Sequence, residues 1–411
     1  MSRWIKASLL VVLLLTIVPA MPVFAQSDAD CQFFGLQSSG AKYCITLPPP
    51  PPYGSWNGGL VIFAHGYVAV NEPLDIPWSQ MTFNNGAGGT ITLPVIVNSM
   101  GYAFATTSYS VNGLAVKQGI ADILDLVNVF TQKTGLTPQR IYLVGASEGG
   151  LVTTLAVERH PEVFTGGLAL CGPIGSFVGQ VNYWGDFRVV TDYFMDTPDF
   201  NLLPGTAVNI PQSLMAKWNS IYIPRIEGAL AANPLNTRQL FAVTHAAFDP
   251  ANPLTVGETA LGILWYNVFA TEDGIDKLGG QPYDNQDRVY SGSLDDAALN
   301  AGVMRFKAKP AALQEIVANY ETSGALARPL VTMHTTGDPI IPVWQQSLYS
   351  AKVGTNPLYV AIPPIPRYGH CSFTLGETET AFGTLIVMTG GIAPVSPLLP
   401  VSGGSAYMLG Q

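Results

Sequence analysis

The chain has 411 residues, of which 28 are acidic and 19 basic, for a net charge of −9, and only 11% are charged. An acidic chain with no basic cluster is a poor partner for nucleic acid or for an anionic membrane surface, and a hydrophobic content of 48% excludes intrinsic disorder. The length allows one large domain with a sizeable insertion, or two domains.

The chain opens Met1-Ser-Arg-Trp-Ile-Lys6, continues with the apolar run Ala7 to Val18 and reaches Val23-Phe-Ala25 before Gln26. Positive charges, a short apolar core and small residues at the cleavage point make residues 1–25 a secretory signal, with an apolar run too short to span a bilayer comfortably. Cleavage after Ala25 removes Arg3 and Lys6 and no acid, taking the net charge from −9 to −11. The expected product is soluble and secreted, extracellular or periplasmic, with no stable membrane insertion. Four cysteines in an oxidising compartment permit three pairings. Cys31 and Cys44 are close in sequence, and Cys171 and Cys371 each fall beside a segment that matters for catalysis, which favours Cys31 with Cys44 and Cys171 with Cys371.

Gln26 to Gly40 reads as a leader, and Lys42 to Leu47 as an edge strand ended by Pro48 to Pro52, a rigid connector without backbone donors. Gly59 to Ala64 is a fully buried strand that ends in His65-Gly66-Tyr67. Ser99 to Thr107 predicts a strand, Gly119 to Lys133 an amphipathic helix, Ile141 to Val144 a short buried strand, and Phe164 to Cys171 another strand. Strands alternating with helices predict an α/β fold, a mostly parallel sheet covered on both faces.

The pattern changes over residues 172–327. Apolar-periodic helices (Leu214 to Tyr222, Thr237 to Phe248, Gly257 to Phe269, Pro310 to Tyr320), Pro and Asp breaks, and Trp184, Trp218 and Trp265 predict a mainly helical insertion. Alternation resumes with strand Pro329 to His334, helix Val343 to Ala351, strand Leu358 to Ile362 and helix Glu377 to Met388. The core is therefore discontinuous, 26–171 and 328–390, and the Gly-, Pro- and Ser-rich residues 391–411 form a loosely held tail.

The chemistry centres on Gly145-Ala-Ser147-Glu-Gly149-Gly150. A strand, a G-x-S-x-G turn and a helix hold the serine in a strained conformation that needs tiny neighbours. The backbone N–H of Glu148 then faces a developing oxyanion. A serine hydroxyl needs a base oriented by a carboxylate. Among the five histidines, His370 follows the last predicted strand, and Asp338 follows the strand that resumes the sheet. Asp249 competes weakly as the acid. His160 caps a helix, and His245 and His334 read as structural. No spacing of His, Cys, Asp or Glu resembles a metal site, and no glycine-rich loop resembles a nucleotide cradle, so neither metal nor cofactor is expected.

In the order Ser147, Asp338, His370, these motifs resemble those of a secreted α/β-hydrolase, over about Gly59 to Cys171 and Arg328 to Thr389. The resemblance implies Ser147 as nucleophile, His370 as general base and then acid, and Asp338 as orienting acid. His65-Gly66-Tyr67 resembles the superfamily's His-Gly-X turn, which implies the backbone N–H of Tyr67 as a second oxyanion donor beside Glu148. Cys371, directly after His370, resembles the tannase and feruloyl esterase group, whose bridge joins the residue before the serine to the one after the histidine. Position 146 here is Ala, and Cys171 is placed to tether the histidine loop instead. The insertion falls where this fold places a cap. The expected function is a secreted, carboxylesterase-like serine hydrolase acting through an acyl-enzyme on small-molecule or oligomeric esters, with an apolar or aromatic group under the cap. The alternative is a capped exopeptidase with the same triad, in which Glu227, Glu258 or Glu272 binds an N-terminal amine.

Overall fold

The computed structural model describes residues 31–51, 54–84, 89–195 and 202–393. The expected signal over 1–25 and the tail beyond 393 lie outside the described residues.

Eight strands form one sheet: β1 Phe33–Leu36, β2 Lys42–Thr46, β3 Gly59–Ala64, β4 Ala103–Thr107, β5 Arg140–Ala146, β6 Gly166–Leu170, β7 Leu330–Met333 and β8 Tyr359–Ala361. Their spatial order is β1-β2-β4-β3-β5-β6-β7-β8. β2 runs antiparallel to both β1 and β4, and every later pairing is parallel. β3 is buried at every residue, as a parallel strand covered on both faces requires. Its side chains alternate between two cores: Leu60, Ile62 and Ala64 enter one, and Val61 and Phe63 the other.

Helices α1 Leu93–Ser99, α2 Val116–Thr134 and α3 Glu148–Arg159 precede the insertion. α2 and α3 supply the first core (Ile123, Leu126, Leu151, Leu155). The second core takes Val97 of α1 together with Phe382 and Leu385 of the last helix. Between β6 and β7 lie α4 Phe177–Met195, α5 Gln212–Ala216, α6 Ile223–Ala232, α7 Pro234–Thr244, α8 Leu254–Tyr266, α9 Glu272–Lys277, α10 Asp296–Gly302 and α11 Pro310–Asn319. α12 Trp344–Val353 and α13 Leu375–Met388 are the last helices among the described residues. Among the described residues no helix is long and apolar enough to cross a membrane.

Three expectations are corrected. The strand read from Ser99 begins only at Ala103; the apolar stretch before it is helix α1, started by Pro94 in its first turn, where a missing N–H costs nothing. The N-terminal leader is not merely a leader, because Phe33–Leu36 adds an edge strand in register with β2, Phe34 opposite Cys44, and the Cys31–Cys44 bridge ties the two together. The helices read over 214–222 and 257–269 end early and pass into π-helical turns at Trp218–Tyr222 and Asn267–Thr271.

The parallel register brings the carboxyl ends of four strands to one rim. Ala64 pairs with Gly145, Ala146 with Leu170, and Leu170 with Met333. Ser147 follows β5 directly at that rim, and Asp338 lies five residues after β7.

Candidate active site

Ser147 stands between β5 and α3 with φ 58° and ψ −125°, a backbone conformation that a residue with a Cβ adopts only under strain. The surroundings enforce it. A Cβ at Gly145 would meet the carbonyl oxygen of Gly149 at 2.1 Å, and one at Gly149 would meet that of Ala64 at 2.0 Å. The turn is thus closed by backbone against backbone, and the Ser147 N–H is fixed by the Leu170 carbonyl at 2.9 Å.

His370 Nε2 lies 2.9 Å from Ser147 Oγ, and its Nδ1 lies 2.8 Å from Asp338 Oδ2. The other carboxylate oxygen, Oδ1, accepts the N–H groups of Ile340 and Ile341, each at 2.9 Å. Burial alone would raise the Asp338 carboxyl, but the facing His370 and a hydrogen bond from His334 outweigh it and hold the group at about 2. An array of this kind, a hydroxyl on an imidazole on an ionised carboxylate, can take a proton from the serine and stabilise the imidazolium that results.

The loop carrying His370 is pinned from several sides. Thr335–Gly337 pairs with Ile365–Tyr368 as two parallel strands beside the main sheet, and the Thr335 hydroxyl donates to the Gly369 carbonyl at 2.8 Å. Arg367 grips Glu377 with two nitrogens, each at 2.9 Å, and Glu377 closes a capping box with Thr374 at the start of α13. Cys371 is bonded to Cys171, and its sulfur sits 3.6 Å from His370 Nε2. Donor atoms of Cys171, His370 and Cys371 converge within 4.8 Å, but the two sulfurs are joined to each other and present no thiolate to a metal.

Tyr67 and Glu148, the residues whose backbone N–H groups were expected to face the oxyanion, both line a pocket with Ser147. Gln80 braces the turn before them: its Oε1 accepts the Gly66 N–H at 2.6 Å and its Nε2 donates to the Tyr67 carbonyl at 3.2 Å. His65 is buried and stacks on Tyr109 at 3.8 Å, and burial lowers its imidazole to about 4, so it stays neutral. The pocket is walled by apolar and aromatic side chains, among them Phe177, Val181, Trp184 and Tyr266 from α4 and α8. Asp249 is not the carboxylate that His370 meets; its own carboxylate accepts the Ala251 N–H within an inserted loop. Glu227 and Glu258 are exposed, and Glu272 is half-buried with its carboxylate on the Ile210 backbone.

Residues 93–177, which run from α1 through Ser147 into α4, match the prolyl oligopeptidase family. The mostly parallel sheet with helices on both faces is an α/β-hydrolase fold. No curated protein matches the sequence. Among solved structures, it is similar to oligopeptidase B from Leishmania major (10% identity, TM-score 0.41, covering 90% of this chain and 37% of that one) and to an acylaminoacyl peptidase from Pyrococcus horikoshii (12%, 0.38, 82% and 36%). It is also similar to a rice cell wall degrading esterase from Xanthomonas oryzae (12%, 0.38, 80% and 80%). The chain thus spans just over a third of the length of those two peptidases.

Three groups of this site escaped the sequence reading. His334, read as structural, is buried against the acid, its Nε2 being 2.7 Å from the Ile341 carbonyl and 3.5 Å from Asp338 Oδ2. Its spacing of four from Asp338 was the available signal. The Tyr266 hydroxyl shares a hydrogen bond with Ser147, and nothing in its helical periodicity marks it. The Glu148 side chain is buried in the site, although the sequence assigned a role only to its main chain.

Proposed function

We propose that the protein is a serine hydrolase that cleaves carboxylic esters through an acyl-enzyme on Ser147. The observation that carries this reading is the continuous hydrogen-bonded array from Ser147 to His370 to Asp338, opening onto an apolar pocket. His370 Nε2 takes the hydroxyl proton as Ser147 Oγ attacks the ester carbonyl. The N–H groups of Tyr67 and Glu148 stabilise the oxyanion, and the alcohol departs with the proton from His370. Water, deprotonated by the same imidazole, then attacks the acyl-enzyme and releases the acid. The inserted helices act as a cap, and Trp184, Tyr266 and Phe177 receive an apolar or aromatic substrate group. Secretion agrees with two disulfides and with the absence, among the described residues, of a membrane-spanning helix.

The same array hydrolyses amides when the leaving amine is protonated, and the match to the prolyl oligopeptidase family over residues 93–177 favours a peptidase as the second reading. p-Nitrophenyl esters of graded chain length, assayed beside aminoacyl anilides, separate the two. A fluorophosphonate probe should label the wild type and leave Ser147→Ala, still folded, unlabelled. Labelling that persists in Ser147→Ala overturns the assignment.

A further inference from the structure

One polar side chain bordering the pocket has no task in the reaction just described. Glu148 is 7% exposed, and its Oε1 accepts the Ala115 N–H at 2.7 Å. Its Oε2 is buried and has no hydrogen-bond partner among the described residues. A buried carboxyl oxygen left unpaired costs free energy that a bound partner recovers. Around it the pocket is lined by carbon, and no Lys, Arg or His is among the lining residues.

We propose that Glu148 is a specificity-determining residue that receives a positively charged amino group of the substrate in the pocket beside Ser147. This rests on the reading of Ser147 as the nucleophile and narrows it to esters or amides with an ammonium group on the part that enters the pocket. Three features favour an ammonium over a neutral donor. Lys277, the cation whose charge acts on Glu148, is held by Asp273 at 2.9 Å and by the Asn112 carbonyl, and it makes no hydrogen bond to Glu148 Oε2. Trp184 and Tyr266, stacked at 5.0 Å, both line the pocket, and a cation is attracted to aromatic rings. Ala115 caps the start of α2, immediately before Val116, so its N–H and the helix dipole favour the carboxylate form that pairs with an ammonium. The exopeptidase alternative had assigned amine binding to Glu227, Glu258 or Glu272, and those side chains lie outside this pocket's lining.

The titratable groups facing Glu148 are Asp273 and Lys277 on α9 and the hydroxyls of Tyr67, Tyr109, Tyr266 and Tyr320. Burial raises all four phenols, which remain neutral. Burial also lifts the Glu148 carboxyl to about 8, against the Ala115 hydrogen bond and the charge of Lys277.

The test is equilibrium binding of phenethylamine and 2-phenylethanol to the full-length Ser147→Ala protein by calorimetry, which needs no turnover. Phenethylammonium should bind at least about tenfold more tightly than the alcohol, and Glu148→Gln in the same background should abolish the difference. Equal affinities, or a preference that survives Glu148→Gln, would overturn the proposal. Should Glu148→Gln not fold, the Glu148-bearing protein still decides the matter. Its affinity for the ammonium should rise as the pH is taken from about 6 to about 8 while that for the alcohol stays level, and a flat ammonium profile refutes the role. Failure of the nucleophile assignment shows separately, as fluorophosphonate labelling that does not depend on Ser147.

Discussion

The hydroxyl of Tyr368 meets that of Thr259 at 2.9 Å, and the same phenol donates to the Thr255 carbonyl at 3.3 Å. Tyr368 is two residues before His370, and both threonines belong to α8, so the histidine loop is fastened to the inserted helices as well as to the sheet. Tyr368→Phe should lower stability by about 1 kcal/mol, the net worth of an intramolecular hydrogen bond, and should lower kcat. Thr259→Val should act in the same direction, and the double variant should be less impaired than the sum of the two. Additive losses in a double-mutant cycle would show that the contact does not couple the two segments.

Asp338→Asn should lower kcat by a factor on the order of 10⁴, as in comparable triads, because an amide neither holds the His370 tautomer nor stabilises the imidazolium. Asp249→Asn should be close to wild type, since that carboxylate only caps its own loop. Steady-state kinetics on a p-nitrophenyl ester checks both. The reverse pattern would reassign the acid.

The bridge between Cys171 and Cys371 spans 200 residues of sequence, and a chain-entropy argument credits a loop of that length with about 5 kcal/mol. Its local effect is on geometry, because both cysteines adopt positive φ (45° and 50°) beside the His370 ring. Cys171→Ser with Cys371→Ser should reduce kcat at temperatures where circular dichroism still reports a folded chain. Activity that falls only with unfolding would leave the bridge a purely global role.

Glu148 also sets a pH dependence of stability. Its carboxyl titrates at about 8 in the native protein, against 4.5 ordinarily, so between those values the folded state binds a proton that the unfolded chain has released. Stability from this group is complete below the lower value and is lost as pH rises through the higher one. Glu148→Gln removes this contribution, so its Tm should fall less than the wild type's between pH 5 and pH 8. Parallel Tm curves would contradict the burial argument.

Much of this molecule is legible in its sequence wherever a local pattern and its tertiary fate coincide. β3, β5 and the glycines around Ser147 are such places, because apolar runs that must be buried and turns that admit no side chain have few alternatives. The order of Ser147, Asp338 and His370 follows from the same cause. α4 was missed because its buried residues, Phe177, Gln180, Trp184, Phe187, Arg188 and Val190 among them, occupy more than one face, so it has no amphipathic stripe. Arg188, wholly buried, forms an ion pair with Asp192 at 2.7 Å and would have argued for a solvated surface. Whether Glu148 is exposed depends on α2, α9 and the pocket wall closing over it, and those contacts are set far away in sequence.

The position of the insertion has a consequence for the order in which the molecule can be built. Chains emerge from the ribosome amino end first, so Cys31, Cys44 and Cys171 are all present while the partner of Cys171, 200 residues further on, has yet to be made. The strand β6 that leads to Cys171 meets its neighbour β7 only across the inserted helices, with Gly167 opposite Leu330. Cys31 and Cys44, 13 residues apart on paired strands, can close at once. Closing that bridge first would withdraw the two thiols that compete for Cys171, leaving it a single partner when Cys371 arrives.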